Sequence, residues 1–157
     1  VKQLRPPEPL VFDTDKPRLF LAGSIEMGKA VDWQTEVTEA LRDLDIVVLN
    51  PRREAWDSSW QQNADFPPFR EQVEWELDAL EVADLILFYF APETKSPITL
   101  LELGMHLRRN VVVCCPEGYW RKGNVDVVCR RYRILQVPTL LELVERVREK
   151  LVARQNV

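Results

Sequence analysis

Short apolar runs alternate along this chain with stretches in which apolar residues recur every three or four positions, and the two periods predict strands and helices respectively. Residues 18–22 (RLFLA) read as a buried strand, GSIEMG as a loop, and residues 29–44 as a helix carrying Ala30, Trp33, Val37, Ala40, Leu41 and Leu44 on one side. The unit then repeats. Residues 45–49 (DIVVL) form a second strand, residues 50–68 a long irregular loop, and residues 69–82 a second helix with Val73, Glu76, Leu77 and Leu80 along one side. Residues 84–90 (DLILFYF) form a third strand, whose continuous apolar character suits a central position covered on both faces. A third helix is expected from Ser96 to about Arg108, with Ser96 as N-cap and Pro97 at the first helical position. Residues 110–115 (NVVVCC) give a fourth strand, 125–131 a short helix, 132–137 a fifth strand, and 139–153 an amphipathic last helix.

Alternating strands and helices predict an α/β fold: a flavodoxin-like or Rossmann-like five-stranded parallel sheet in the order 2-1-3-4-5, with helices on both faces. Residues 1–17 hold four of the eleven prolines and no periodic pattern, so they are expected as an extended arm before a single domain over 18–157. In such sheets ligands sit outside the carboxyl ends of the strands, near the point where strand order reverses. The loops after strands one to four are therefore the ones to search for chemistry.

Composition narrows the search. Apolar residues make up 46 % of the chain and charged residues 29 %, ordinary for a globular domain. No apolar run approaches a membrane span and no signal peptide opens the chain, which gives the expectation of a cytoplasmic protein with no membrane partner. A net charge of −4 lacks the basic footprint of a surface for polymeric nucleic acid. With one histidine and no CxxC pair among Cys114, Cys115 and Cys129, no metal site is expected and the thiols read as buried and inert.

The searched loops contain Gly23 and Ser24, the run Asn50-Pro51-Arg52-Arg53, Ser96, and the segment from Gly118 to Asn124. A Gly-Ser turn directly after a strand brings backbone N–H groups and a hydroxyl close to a sugar or phosphate, though it also serves as a plain strand-to-helix turn. Neither a dinucleotide fingerprint nor a P-loop is present. Glu102 lies among Leu100, Leu101 and Leu103 in the second turn of the third helix. The helix N-terminus favours its ionised form, whereas apolar surroundings raise its pKa, and the sequence leaves both open. Acidic residues on helices are ordinarily solvated, as most of Glu71, Glu74, Glu76, Asp78, Glu81 and Asp84 must be. His106, one turn beyond Glu102, reads as structural. Trp56, Trp60 and Trp120 fall in candidate site loops, where an aromatic face can stack on a base or simply pack.

Together, LFLAGSI at 19–25, ADLILFYF at 83–90 and SPITLLELG at 96–104 resemble the nucleoside 2-deoxyribosyltransferase-like family, including its nucleotide N-glycosidase relatives. The NPRR loop, the QVEWEL helix and the GYWRKGNV segment are similar to a divergent branch of it. The resemblance implies double displacement at an N-glycosidic bond. Glu102, in the family's E-[LI]-G motif, is then the nucleophile, and no cofactor is needed. It implies a proton-transfer carboxylate at Glu76, where the family has aspartate, with Asp78 as the alternative. Ser96 stands where true transferases have an aspartate; in the nucleotide-hydrolysing relatives a serine there, with one matching Ser24, contacts the 5′-phosphate. Family sites are completed by the loop after strand four of a neighbouring subunit, here including Arg121, Lys122 and Asn124, which implies a homodimer or higher homo-oligomer.

The expectation is therefore cleavage or transfer at the glycosidic bond of a small nucleoside or nucleoside 5′-monophosphate. Glu102, Glu76 and Asp78 are its catalytic candidates, and Gly23, Ser24, Asn50, Arg52, Arg53, Trp56, Ser96 and Asn124 its substrate-binding candidates. The arginines favour a phosphorylated ligand, and the long loop after strand two is expected to wall the pocket. The alternative is an inactive nucleotide-binding or regulatory protein on the same fold.

Overall fold

The computed structural model describes residues 1–11 and 15–155. Residues 12–14 of the expected arm and the last two residues of the expected domain lie outside them. Six parallel strands, β1 (Lys2–Leu4), β2 (Arg18–Gly23), β3 (Val47–Leu49), β4 (Leu85–Tyr89), β5 (Val111–Cys114) and β6 (Leu135–Val137), form one sheet in the order β1-β3-β2-β4-β5-β6. The last five reproduce the predicted 2-1-3-4-5 order. The sixth, β1, comes from the segment expected to be an extended arm before the domain.

Three residues before a run of prolines are too short to display a strand's alternation, so β1 is invisible to periodicity. Its pairing is nonetheless sound: Lys2, Gln3 and Leu4 align with Val47, Val48 and Leu49, and Leu4 is buried in the core. The arm then crosses α2 (Pro67–Val82), where the Trp75 indole N–H donates to the Glu8 carbonyl at 2.8 Å.

Each face of the sheet carries its own helices. α1 (Trp33–Ala40) and α5 (Leu140–Gln155) bury Trp33, Val37, Leu143, Val147 and Leu151 on Leu19, Leu21, Val48, Leu85, Leu87 and Val112. On the other face α2, α3 (Pro97–Met105) and α4 (Lys122–Arg131) pack Trp75, Leu80, Leu103, Val125 and Cys129 on Phe20, Leu49, Ile86, Phe88 and Val113. The alternation of inward residues along β2 and β4 feeds both cores, which is why those strands read as unbroken apolar runs.

The first helix starts four residues later than predicted. Carbonyls of Gly28, Ala30 and Val31 accept hydrogen bonds from the Arg52 guanidinium at 3.0, 2.9 and 3.2 Å, so that stretch is held as loop. Asp32 then caps α1, its carboxylate accepting from the Thr35 N–H at 3.2 Å. At the end of the sheet remote from the switch point, Asp84 accepts from Arg18 Nε at 2.7 Å and lies 3.0 Å from Arg154 Nη1, tying β2, β4 and α5 together. Burial alone would raise the Asp84 pKa; the Arg18 bonds outweigh it and hold the carboxyl below its usual range. Among the described residues no helix is long and apolar enough to cross a membrane.

Candidate functional site

Strand order reverses between β2 and β4, and there the two strands are as close as backbones allow. A Cβ at Gly23 would collide with the Tyr89 carbonyl oxygen and the Trp33 indole, so only glycine fits. The next residue, Ser24, is buried; its N–H donates to Tyr89 O at 3.2 Å, and its Oγ accepts from the Ala91 N–H at 3.0 Å. Ser24 Oγ also lies 2.7 Å from Thr94 Oγ1 and 2.5 Å from Ser96 Oγ. Three hydroxyls from two loops thus meet at the switch point.

This arrangement corrects the expected role of Ser96 as a side-chain cap. Its hydroxyl is turned to Ser24 and makes no capping bond, and its backbone sits in the left-handed region at φ 48°. The Ser96 N–H is taken instead by Glu26 Oε1 at 3.0 Å, from the short 3-10 turn Glu26–Gly28 after β2. Thr94 and Glu26 were not singled out in the sequence. Nothing in their spacing reveals that two loops 70 residues apart converge.

Glu102 stands on α3 with 8 % of its surface exposed, and among the described residues its carboxylate has no hydrogen-bond or ion-pair partner. Burial, and then the negative charge of Glu76, push its pKa up to about 8. Burial is the larger of the two influences. His106 turns away from this carboxylate: its Nδ1 is 2.8 Å from the Glu102 carbonyl oxygen, closing the end of α3.

Glu76 reaches the same region from α2. Burial pushes its pKa up to about 7, against the pull of the Gln72 amide and of Arg53, which both favour the charged form. Asp78 lies two residues on, about 200° around the helix, and is exposed. Of the two candidates, the helix register therefore brings Glu76, not Asp78, to Glu102.

The loop after β3 divides its polar residues between scaffold and site. Asn50 is fully buried, its Oδ1 accepting from the Arg52 N–H at 3.0 Å. Arg52 is committed to the carbonyls described above. Arg53 donates through Nε to Gln72 Oε1 at 2.5 Å and lies over the Trp60 ring at 4.7 Å. Trp56 packs on Gly28, whose φ of 85° and missing Cβ make room for the indole. Among the described residues, the Trp56 indole N–H and the Gln34 side-chain N–H are buried without partners. Asn124 is exposed in the first turn of α4. Nearby, the Tyr119 hydroxyl and the Trp120 indole both donate to the Lys95 carbonyl, at 2.7 and 3.0 Å, and Arg121 stacks on Trp120 at 4.3 Å.

The three cysteines are free and buried, and burial lifts the thiols of Cys114 and Cys115 to about 12 and of Cys129 to about 11. They take no part in the site.

A parallel sheet with buried hydroxyls at its switch point and two carboxyls on the flanking helices defines an α/β protein of the class whose ligands sit at the carboxyl ends of the strands. The chain belongs to the nucleoside 2-deoxyribosyltransferase-like family, whose sequence profile matches residues 16–119. That family is enzymatic and handles nucleosides; the matched span includes every candidate residue except Asn124. The fold also resembles the crystal structure of a conserved protein from Enterococcus faecalis V583, with a TM-score of 0.61 over 87 % of this chain and 99 % of that one, at 14 % identity. No curated protein gives a significant sequence match.

Proposed function

We propose that the protein cleaves or transfers at the N-glycosidic bond of a small nucleoside, deoxynucleoside or nucleoside 5′-monophosphate, through a covalent glycosyl intermediate on Glu102. The observation that carries this reading is the Glu102 carboxylate itself: buried, without a partner among the described residues, and near a second carboxyl, Glu76. Two carboxyls with raised pKa values share a proton near neutrality. At rest the proton sits on Glu102, whose pKa is the higher of the two; the productive state has it moved to Glu76, which leaves the charge on Glu102.

Glu102 attacks the anomeric carbon, the bond from that carbon to the base nitrogen breaks, and its electron pair leaves with the base, which takes the Glu76 proton. Positive charge developing on the sugar strengthens the ionised form of Glu102 as the bond opens. Water or a second base then attacks the same carbon, returns a proton to Glu76, and frees the glutamate. Ser24, Thr94 and Ser96 hold the far end of the sugar.

A 5′-phosphate at that end would have to displace the Glu26 carboxylate from the Ser96 N–H, and Arg52 and Arg53 already have protein partners. Both nucleosides and monophosphates therefore belong in the test. Purified protein incubated with a panel of each, followed by chromatography, is expected to release free base, and Glu102→Ala to lose at least a thousandfold in rate. Absence of base release from every member, or a tenth of the rate surviving in Glu102→Ala, would overturn the proposal. A homo-oligomer is part of this reading, supported by the exposed apolar row Ile98, Leu101 and Met105 on α3, the helix that carries the nucleophile.

A further inference from the structure

The loop after β3 and the carboxylate pair are joined through one buried amide. Gln72, in the second turn of α2, is 4 % exposed, and both ends of its amide are engaged. Its Oε1 accepts from Arg53 Nε at 2.5 Å, while its Nε2 donates to the Pro51 carbonyl at 3.0 Å and to Glu76 Oε1 at 2.5 Å. The opposite orientation is excluded by chemistry. Turned over, the amide would set its oxygen against a carbonyl and a carboxylate and its NH2 against a guanidinium, losing all three bonds at once.

We propose that Gln72 is a positioning residue: held by Arg53 and the Pro51 carbonyl, its amide turns an N–H onto Glu76 and fixes that carboxylate beside Glu102. Its use in turnover rests on the glycosidic reading above, whereas the hydrogen bonds belong to the resting protein. The charged groups that reach Glu76 are Arg53 from the loop and Glu102 from α3; Glu71, on the same helix as Glu76, acts on Arg53. A ligand that engaged Arg53 would take away one of the amide's two anchors and draw the cation from Glu76, which would then hold its proton more firmly. The state of the loop is thereby passed to the acid that must protonate the leaving base.

NMR titration of the glutamate carboxyls in the full chain, with Glu76 assigned by its absence in Glu76→Gln, reads this without substrate. Gln72→Met is near-isosteric and lacks the donor, so the Glu76 midpoint is expected to move up by about one to two pH units, the worth of one hydrogen bond to a charged group. Arg53→Met is expected to raise it as well. Its effect should shrink in the Gln72→Met background by the part that the amide carries, the direct effect of the Arg53 charge on Glu76 remaining. If Gln72→Met does not fold, Gln72→Asn, too short to span Pro51 and Glu76, takes its place. An unmoved midpoint in the Gln72 variant, or fully additive shifts in the double variant, overturns the relay. Shifted, non-additive midpoints in a protein that releases no base would uphold the relay and remove the glycosidic reading.

Discussion

Glu102 keeps its proton to higher pH in the folded chain than in the unfolded one, because burial and the neighbouring Glu76 charge both penalise its ionised form. Between the ordinary value of 4.5 and about 8 the folded state binds more protons than the unfolded state. The Glu102 contribution to stability then falls as pH rises through that window and levels off above it. Glu102→Gln removes this titration. Its stability is expected to match wild type near pH 4.5 and exceed it by a few kcal/mol at pH 8, since each tenfold change in proton affinity is worth about 1.4 kcal/mol. Urea denaturation across the range checks this, and a variant curve as steep as wild type would contradict it. The sequence identifies Glu102 as a carboxylate in apolar company near a helix start, and no more. Its raised pKa comes first from burial and then from Glu76, 26 positions away and brought near by the packing of α2 and α3 on one face, neither of which the local sequence displays. Ser96 is a similar case: a serine before a proline reads locally as a cap, and only the convergence of two loops turns its hydroxyl elsewhere.

Elements were legible where a long apolar period marks them and obscure where a distant side chain sets their limits. The start of α1 is decided by Arg52, which holds three carbonyls of the preceding turn and whose side chain is only 11 % exposed. Arg52→Ala leaves those carbonyls without their donor. A loss of about 2–4 kcal/mol is expected, visible as a fall of several degrees in Tm. Arg52→Lys should recover little of it, since a single ammonium cannot fork to three acceptors. A Tm within a degree of wild type for Arg52→Ala would mean that the loop holds itself. The same residue illustrates the limit of counting arginines in a site loop from sequence: Arg52 and Arg53 sit side by side, one serving the scaffold and the other lying against the Gln72 amide.

For the whole molecule, the order of the five predicted strands follows from chain connectivity and right-handed crossovers, and it places the switch point between β2 and β4, where the three hydroxyls meet. The sixth strand had only an indirect signal. Val47, Val48 and Leu49 are all fully buried, an unusual composition for the rim of a sheet. β1 is what makes that composition tolerable. A chain shortened to begin at Lys16 would end its sheet on β3, presenting a line of unpaired peptide groups flanked by bare valine and leucine. Such a surface is a template for strands of other molecules, so the shortened protein is expected to form intermolecular β-structure on mild warming, at concentrations where the full chain stays in solution. Light scattering together with thioflavin fluorescence would detect it, and equal behaviour of the two chains would show that the first strand is dispensable as a guard. The opening strand matters to the cell, on this expectation, through colloidal behaviour: it keeps the fold from becoming a seed for its own precipitation.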